Sequence, residues 1–140
     1  MSLELKDLDR LRTQEYNKML DKLGGKFSWW ERWLMGGTGL GGLRLYHSED
    51  LLLPDLHNES WICSFERLRK GLIFRCTNSK KWYISTFPFP SIRQINIPDS
   101  NRLLLHLTKP NTTLTFSFNE WSFDQVVDFF KSLDEVELNY

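Results

Sequence analysis

Cysteine is scarce in this 140-residue chain, with only Cys63 and Cys76 present. Two are too few for a disulfide framework, and they lack the paired spacing of a structural zinc site. Both are expected as buried apolar thiols. No stretch approaches the ~20 apolar residues that a membrane-spanning helix needs, and the opening run MSLELKDLDR is too charged for a secretory leader. A cytoplasmic location is therefore expected, and without an export signal the sequons at Asn58 and Asn111 carry little meaning. Net charge is missing too, because 18 basic and 18 acidic side chains cancel. With no recognition motif either, nucleic acid is not an expected partner. Catalytic signatures are also lacking: there is no G-x-S-x-G elbow, and apolar strand surroundings raise a thiol pKa rather than lower it. Neither enzyme activity nor a cofactor is expected.

What is present fits one domain. Hydrophobic residues make up 41% and charged residues 26% of the chain, close to globular averages. The zero net charge conceals segregation: residues 67–109 hold nine basic side chains against the single Asp99, whereas residues 110–140 hold Lys131 against six acids. An electrically polarised domain is expected.

The spacing of Tyr16, Met19, Leu20 and Leu23 predicts a helix from Leu5 to Leu23, stopped by Gly24-Gly25. Residues Phe27 to Met35 have the makings of a second, two-turn helix before the glycine run 36–42. The period then falls to two, the signature of half-buried strands. Strands are predicted at 43–47, around Trp61-Cys63-Phe65, at 71–77, at 81–86 up to Phe87-Pro88-Phe89-Pro90, at 92–97, around Leu103-Leu105-Leu107, and around Leu114-Phe116-Phe118. Cys63 and Cys76 face each other if the intervening hairpin turns at Arg69-Lys70, and fall out of register if it turns at Lys70-Gly71. The last element is an amphipathic helix with Phe123, Val126, Val127, Phe130 and Leu133 on one side and a capping-box pattern at Ser122 and Gln125.

Lys70-Gly71-Leu72-Ile73-Phe74-Arg75, then Trp82-Tyr83-Ile84, then Phe89-Pro90-Ser91-Ile92-Arg93-Gln94-Ile95, together with the order of elements, resemble the pleckstrin-homology-like superfold in its GRAM-type and bacterial members. The resemblance covers about residues 43–135. It implies a mainly β (α+β) fold: a seven-stranded antiparallel barrel or sandwich capped by a C-terminal helix. Residues 1–42 are then a helical N-terminal extension with a glycine-rich connector, and 43–140 the PH-like domain. The first loop is basic in many lipid-binding members, whereas here it carries Glu49, Asp50, Asp55 and Glu59.

Four groups are candidates for function. Trp29, Trp30, Trp33 and Leu34 form an aromatic patch of the kind that anchors a partner, and the amphipathic first helix needs a surface on which to bury its stripe. Arg67, Arg69, Lys70, Arg75, Lys80 and Lys81 are clustered cations suited to phosphate groups or anionic lipid, although hairpin tips also carry such residues for solubility alone. His47 and His57 beside the acidic loop have the donor types for a divalent ion, without helical ligand spacing. Gly37 to Gly42 match G-x-G-x-x-G but lack the preceding strand and following helix of a dinucleotide site. The expected function is that of a non-catalytic binding or adaptor module, contacting a protein partner or a second copy of itself as a homo-oligomer through the N-terminal helix and tryptophans. The alternative is peripheral attachment to an anionic membrane surface through the 67–81 cluster.

Overall fold

The computed structural model describes residues 6–34, 39–45, 61–77, 82–108 and 111–140. Alternating apolar residues form the main strands β2 (Gly39–Leu45), β3 (Trp61–Arg67), β4 (Gly71–Thr77), β5 (Trp82–Pro88), β6 (Ile92–Asp99), β7 (Arg102–Thr108) and β8 (Asn111–Ser117). Two-residue strands β1 (Lys6–Asp7) and β9 (Leu138–Asn139) lie at the edges, and the helices are α1 (Thr13–Lys22), α2 (Trp29–Leu34) and α3 (Phe123–Lys131). Among the described residues the strands make one nine-stranded open sheet, in the order β1-β5-β4-β3-β2-β8-β7-β6-β9. Every pairing is antiparallel except that of β6 with β9.

This corrects the expected strand count and closed barrel. The two added strands are too short to show a period, and they form only because β5 and β6 offer them open edges. The first helix is shorter than expected for the same reason, since Lys6 and Asp7 pair with Ile84 and Tyr83 and α1 begins at Thr13. The glycine run is also not wholly a connector. Gly39 to Gly42 belong to β2, which pairs with β3 through a register shift between Leu40 and Leu43.

The alternation places Trp61, Cys63 and Phe65, then Leu103, Leu105 and Leu107, then Leu114 and Phe116 on one face, where they join a single core. Both halves of the sheet contribute to it, so the sheet wraps around a shared interior. Phe65 lies 5.3 Å from Phe74, 5.5 Å from Phe116 and 5.8 Å from Phe130, ring centre to ring centre, within the range of favourable aromatic pairs. α3 closes the core with Val126, Val127 and Phe130, followed by Leu133 and Val136. Its start differs from the expected capping box: Ser122 makes no side-chain cap bond, and Asn119 caps the preceding 3-10 turn by accepting from the Trp121 N–H at 3.0 Å.

β4 is buried on both faces from Gly71 to Phe74, because α1 lies across the outer side of the sheet. Leu20 of α1 and Leu23 at its C-terminal cap form a second core with Leu68, Ile73 and Ile84, and Leu8, Leu11, Tyr16 and Met19 pack against it. The apolar stripe of α1 is thus satisfied within the chain. Gly24 (φ +82°) and Gly25 end the helix in a Schellman motif, Gly25 N–H donating to Leu20 O at 2.8 Å and Gly24 N–H to Asp21 O at 3.0 Å. The turn then meets the β3–β4 hairpin tip, where Lys70 N–H donates to Leu23 O at 2.7 Å and Lys70 O accepts from Phe89 N–H at 3.0 Å. No described helix is long and apolar enough to cross a membrane.

Gly71 sits where these parts converge. A Cβ there would lie 2.5 Å from the Phe87 carbonyl oxygen and 3.0 Å from both Leu23 Cδ1 and Pro88 Cα, and two of those three atoms are main chain and cannot turn away. Gly71→Ala is expected to destabilise the fold by about 1–3 kcal/mol through overpacking, read as a lower urea midpoint with an unchanged slope.

Candidate functional site

The hairpin tip, the α1–α2 connection and the β5–β6 connection meet at one end of the sheet, and most of the described candidate residues lie there. Two guanidinium groups lie over the Phe27 ring, with Arg69 Cζ 5.0 Å and Arg67 Cζ 5.4 Å from its centre. Arg67 also donates from Nη1 to Ser132 O at 2.7 Å, reaching the end of α3. Arg69 makes a two-pronged pair with Glu31 of α2, Nη1 to Oε2 at 3.1 Å and Nη2 to Oε1 at 2.5 Å. Glu31 in addition forms a capping box with Ser28: its N–H donates to Ser28 Oγ at 3.2 Å, and its Oε1 accepts from Ser28 N–H at 3.3 Å. A six-residue helix is too short to hold itself together. α2 is held by that box and by Arg69.

Trp29 and Trp30, the outcome of this tethering, stand 69% and 57% exposed. Their rings are 6.0 Å apart and tilted by 43°. Trp33 and Leu34 continue α2, their side chains lying outside the described part of the structure.

The basic cluster is divided. Arg75 donates to Tyr16 Oη at 2.7 Å and lies 3.6 Å from Glu66, whose carboxylate is also 3.9 Å from Lys26. Arg67 and Arg69 are engaged as above, while Lys70 is exposed and its ammonium has no acidic partner among the described residues. Lys80 and Lys81 lie outside the described residues, as do His47 and His57 with their acidic loop, and Gly37 of the glycine motif. What precedes the glycine-containing β2 is a helix, and β2 is itself the strand that follows. Among the described residues no three His, Cys, Asp or Glu side chains come together in a way that could hold a metal ion.

Several features of this end were not singled out from the sequence. A groove of about 540 Å³ lies beside the hairpin tip, lined by Leu23, Pro88, Phe89 and Pro90 with Lys22, Arg69, Lys70, Thr86 and Glu135. Its residues come from segments remote in the chain, and only the Phe-Pro-Phe-Pro run hinted at an irregular surface. Elsewhere, Trp121 is 94% exposed. Its place just before a helix was visible in the sequence, its exposure was not.

The thiols sit far from this end and are inert. Cys63 and Cys76 are direct partners across β3 and β4, because the hairpin turns at Arg69-Lys70. Both are buried and free, and burial pushes the Cys63 thiol well up. His106 faces outward into a polar network. Asn96 Oδ1 accepts from Gln94 Nε2 at 2.9 Å and Asn139 Nδ2 at 3.2 Å, so its amide nitrogen donates to His106 Nε2 at 2.9 Å, and His106 Nδ1–H donates to Thr113 Oγ1 at 2.8 Å.

Glu31 and His106 are both shifted in a definite direction. The Arg69 guanidinium, with help from Ser28, holds the Glu31 carboxyl below its ordinary 4.5. The tether it provides is fully present above pH 4.5 and is lost as pH falls through the lower folded value. Tryptophan emission should report release of α2 in that acid window in the native chain, and Glu31→Gln should remove that acid step. Burial, with Arg93 adding to it, lowers His106 below its ordinary 6.5. A protonated ring would turn a second donor toward the Asn96 amide, so the stability of this network is present above pH 6.5 and lost as pH falls through the folded value. An NMR titration is expected to place the His106 ring below 6.5, with faster amide exchange at Asn139 in the protonated state.

A comparison with protein-family models finds none that matches this chain, and no curated protein matches it either.

Proposed function

We propose that this chain is a non-catalytic cytoplasmic interaction module on a pleckstrin-homology-like scaffold, which holds a protein partner or a second copy of itself through α2. The run of seven antiparallel strands β2 to β8 followed by α3 supports the scaffold reading. The exposure of Trp29 and Trp30 on a tethered helix carries the functional one.

α1 has buried its own stripe on the sheet, so within the N-terminal segment the exposed apolar surface is that of α2. Each tryptophan offers a large, stiff ring, and covering the exposed part returns roughly 3 kcal/mol per ring before association costs. Prior fixation of α2 reduces those costs, as preorganisation does in general. The cations that would draw the chain to anionic lipid are in large part turned to internal use, since Arg67, Arg69 and Arg75 all have partners within the fold.

The test is a Trp29→Ala/Trp30→Ala variant, because deleting residues 1–35 would also strip α1 from the sheet and expose Ile73 and Ile84. In sedimentation velocity, concentration-dependent dimers of the native chain should vanish in the variant. For a chain that stays monomeric, a bound partner should be lost by the double variant and kept by Lys80→Glu. Association that survives the double variant refutes the proposal. Salt-sensitive pelleting with anionic but not neutral vesicles, weakened by Lys80→Glu, would put membrane attachment in its place.

A further inference from the structure

The groove beside the hairpin tip is a second place where the surface is unfinished, and its chemistry differs from that of the tryptophans. Leu23 and Phe89 form its floor, being only 3% and 5% exposed, and the two rigid rings of Pro88 and Pro90 stand beside them. Lys22 comes from the end of α1 and Lys70 from the hairpin tip. Neither has an acidic partner among the described residues. The third cation, Arg69, is paired with Glu31, and Glu135 brings one carboxylate to the lining. The unbalanced charge at the groove is therefore positive, and it borders an apolar floor.

We propose that this groove binds a small amphiphile with one anionic head and an apolar tail. Its volume of about 540 Å³ lies within the span typical of small-molecule sites, roughly 300–1,000 Å³. An inorganic anion would leave the floor uncovered, and an uncharged or cationic amphiphile would leave Lys22 and Lys70 unmatched. An extended peptide finds little main chain to pair with at the tip, because Leu68 N–H, Lys70 N–H and Lys70 O are already bonded to Gly71 O, Leu23 O and Phe89 N–H. The head sits between the two lysine ammoniums and the tail lies over Leu23 and Phe89 against the prolines. Glu135 opposes the head and sets a limit on affinity. None of this depends on α2 holding a partner.

Isothermal titration of the full chain with dodecanoate, dodecyl phosphate, dodecyltrimethylammonium and inorganic phosphate, each kept monomeric in solution, tests the site. Dodecanoate or dodecyl phosphate should bind, the tighter of the two identifying the headgroup, while the cationic amphiphile and inorganic phosphate bind at least about tenfold more weakly. Lys22→Glu/Lys70→Glu should weaken the anionic amphiphile by about tenfold or more, and Glu135→Gln should strengthen it by about two- to fivefold as an opposing charge is removed. Equal binding of the cationic amphiphile, equal binding of inorganic phosphate, or no binding of either anionic amphiphile overturns the proposal. So does an affinity indifferent to both variants. Glu135 is exposed, so Glu135→Gln keeps the test decisive even if the double variant melts early. Because Trp29→Ala/Trp30→Ala leaves all groove residues in place, loss of partner binding and loss of amphiphile binding are separable failures.

Discussion

The main chain of Lys70 carries the junction on which this end of the molecule depends. Its N–H is held by Leu23 O, at the end of the N-terminal helix, and its carbonyl by Phe89 N–H, at the start of the β5–β6 connection. Two segments far apart in sequence are thereby fixed to a third, the turn that contains Lys70. Approach this close leaves no room for a side chain at the neighbouring Gly71, and it seats Leu23 over Leu68 and Ile73. The α1–α2 connection leaves from that point, so the direction of α2 follows from it. The groove lies between the same three segments and would have no walls without their convergence.

The arginines of β3, β4 and the hairpin between them are engaged inside the fold. The blocks of the sequence promise a strongly basic face, but Arg67, Arg69 and Arg75 serve as clamps: onto the Ser132 carbonyl, onto Glu31, onto Tyr16, and over the ring of Phe27. Each such contact is weak at a surface, where water and salt screen it. The three arginines reach different elements, Arg67 the end of α3, Arg75 the helix α1 and Arg69 the short helix α2, and so tie these to the one hairpin. Guanidinium suits this task better than ammonium, because its planar fork can satisfy a carboxylate and stack on an aromatic face at once. Lys22 at the end of α1 and Lys70 at the tip, lacking such geometry, have no acidic partner among the described residues.

The seven main strands and the last helix were legible because burial on one face writes itself as alternation, and Leu103-Leu105-Leu107 or Trp61-Cys63-Phe65 admit little else. Edge strands of two residues carry no period, so Lys6–Asp7 was absorbed into a longer helix and Leu138–Asn139 was missed. Gly39 to Gly42 looked like a connector because glycine weakens strand propensity, yet pairing with Gly39↔Glu66 and Leu40↔Phe65 overrides it. The capping box was sought at Ser122, where the chain is instead turned by Asn119. The one that forms is Ser28 with Glu31, at the same three-residue spacing, hidden beside a tryptophan run that drew attention to itself. Of the candidate site, the exposed tryptophans and the arginines were visible as residue types. Their partnership was not, because Glu31 and Arg69 are 38 positions apart and nothing local announces the contact.

Arg69 belongs to both places that lack a cover. It tethers α2 through Glu31 and lines the groove beside Lys70. An anionic head that reached past Lys70 to Arg69 would compete with Glu31 for the same guanidinium. Any coupling of this kind is reciprocal: the factor by which one occupant changes the affinity for the other must be the same in both directions. Its sign follows from the geometry. A head that took Arg69 from Glu31 would loosen the platform on which Trp29 and Trp30 stand, so that the two proposed occupants would oppose one another. A head held by Lys22 and Lys70 alone leaves the platform intact. The placement of one charged side chain thus decides whether the two surfaces act as one site or as two.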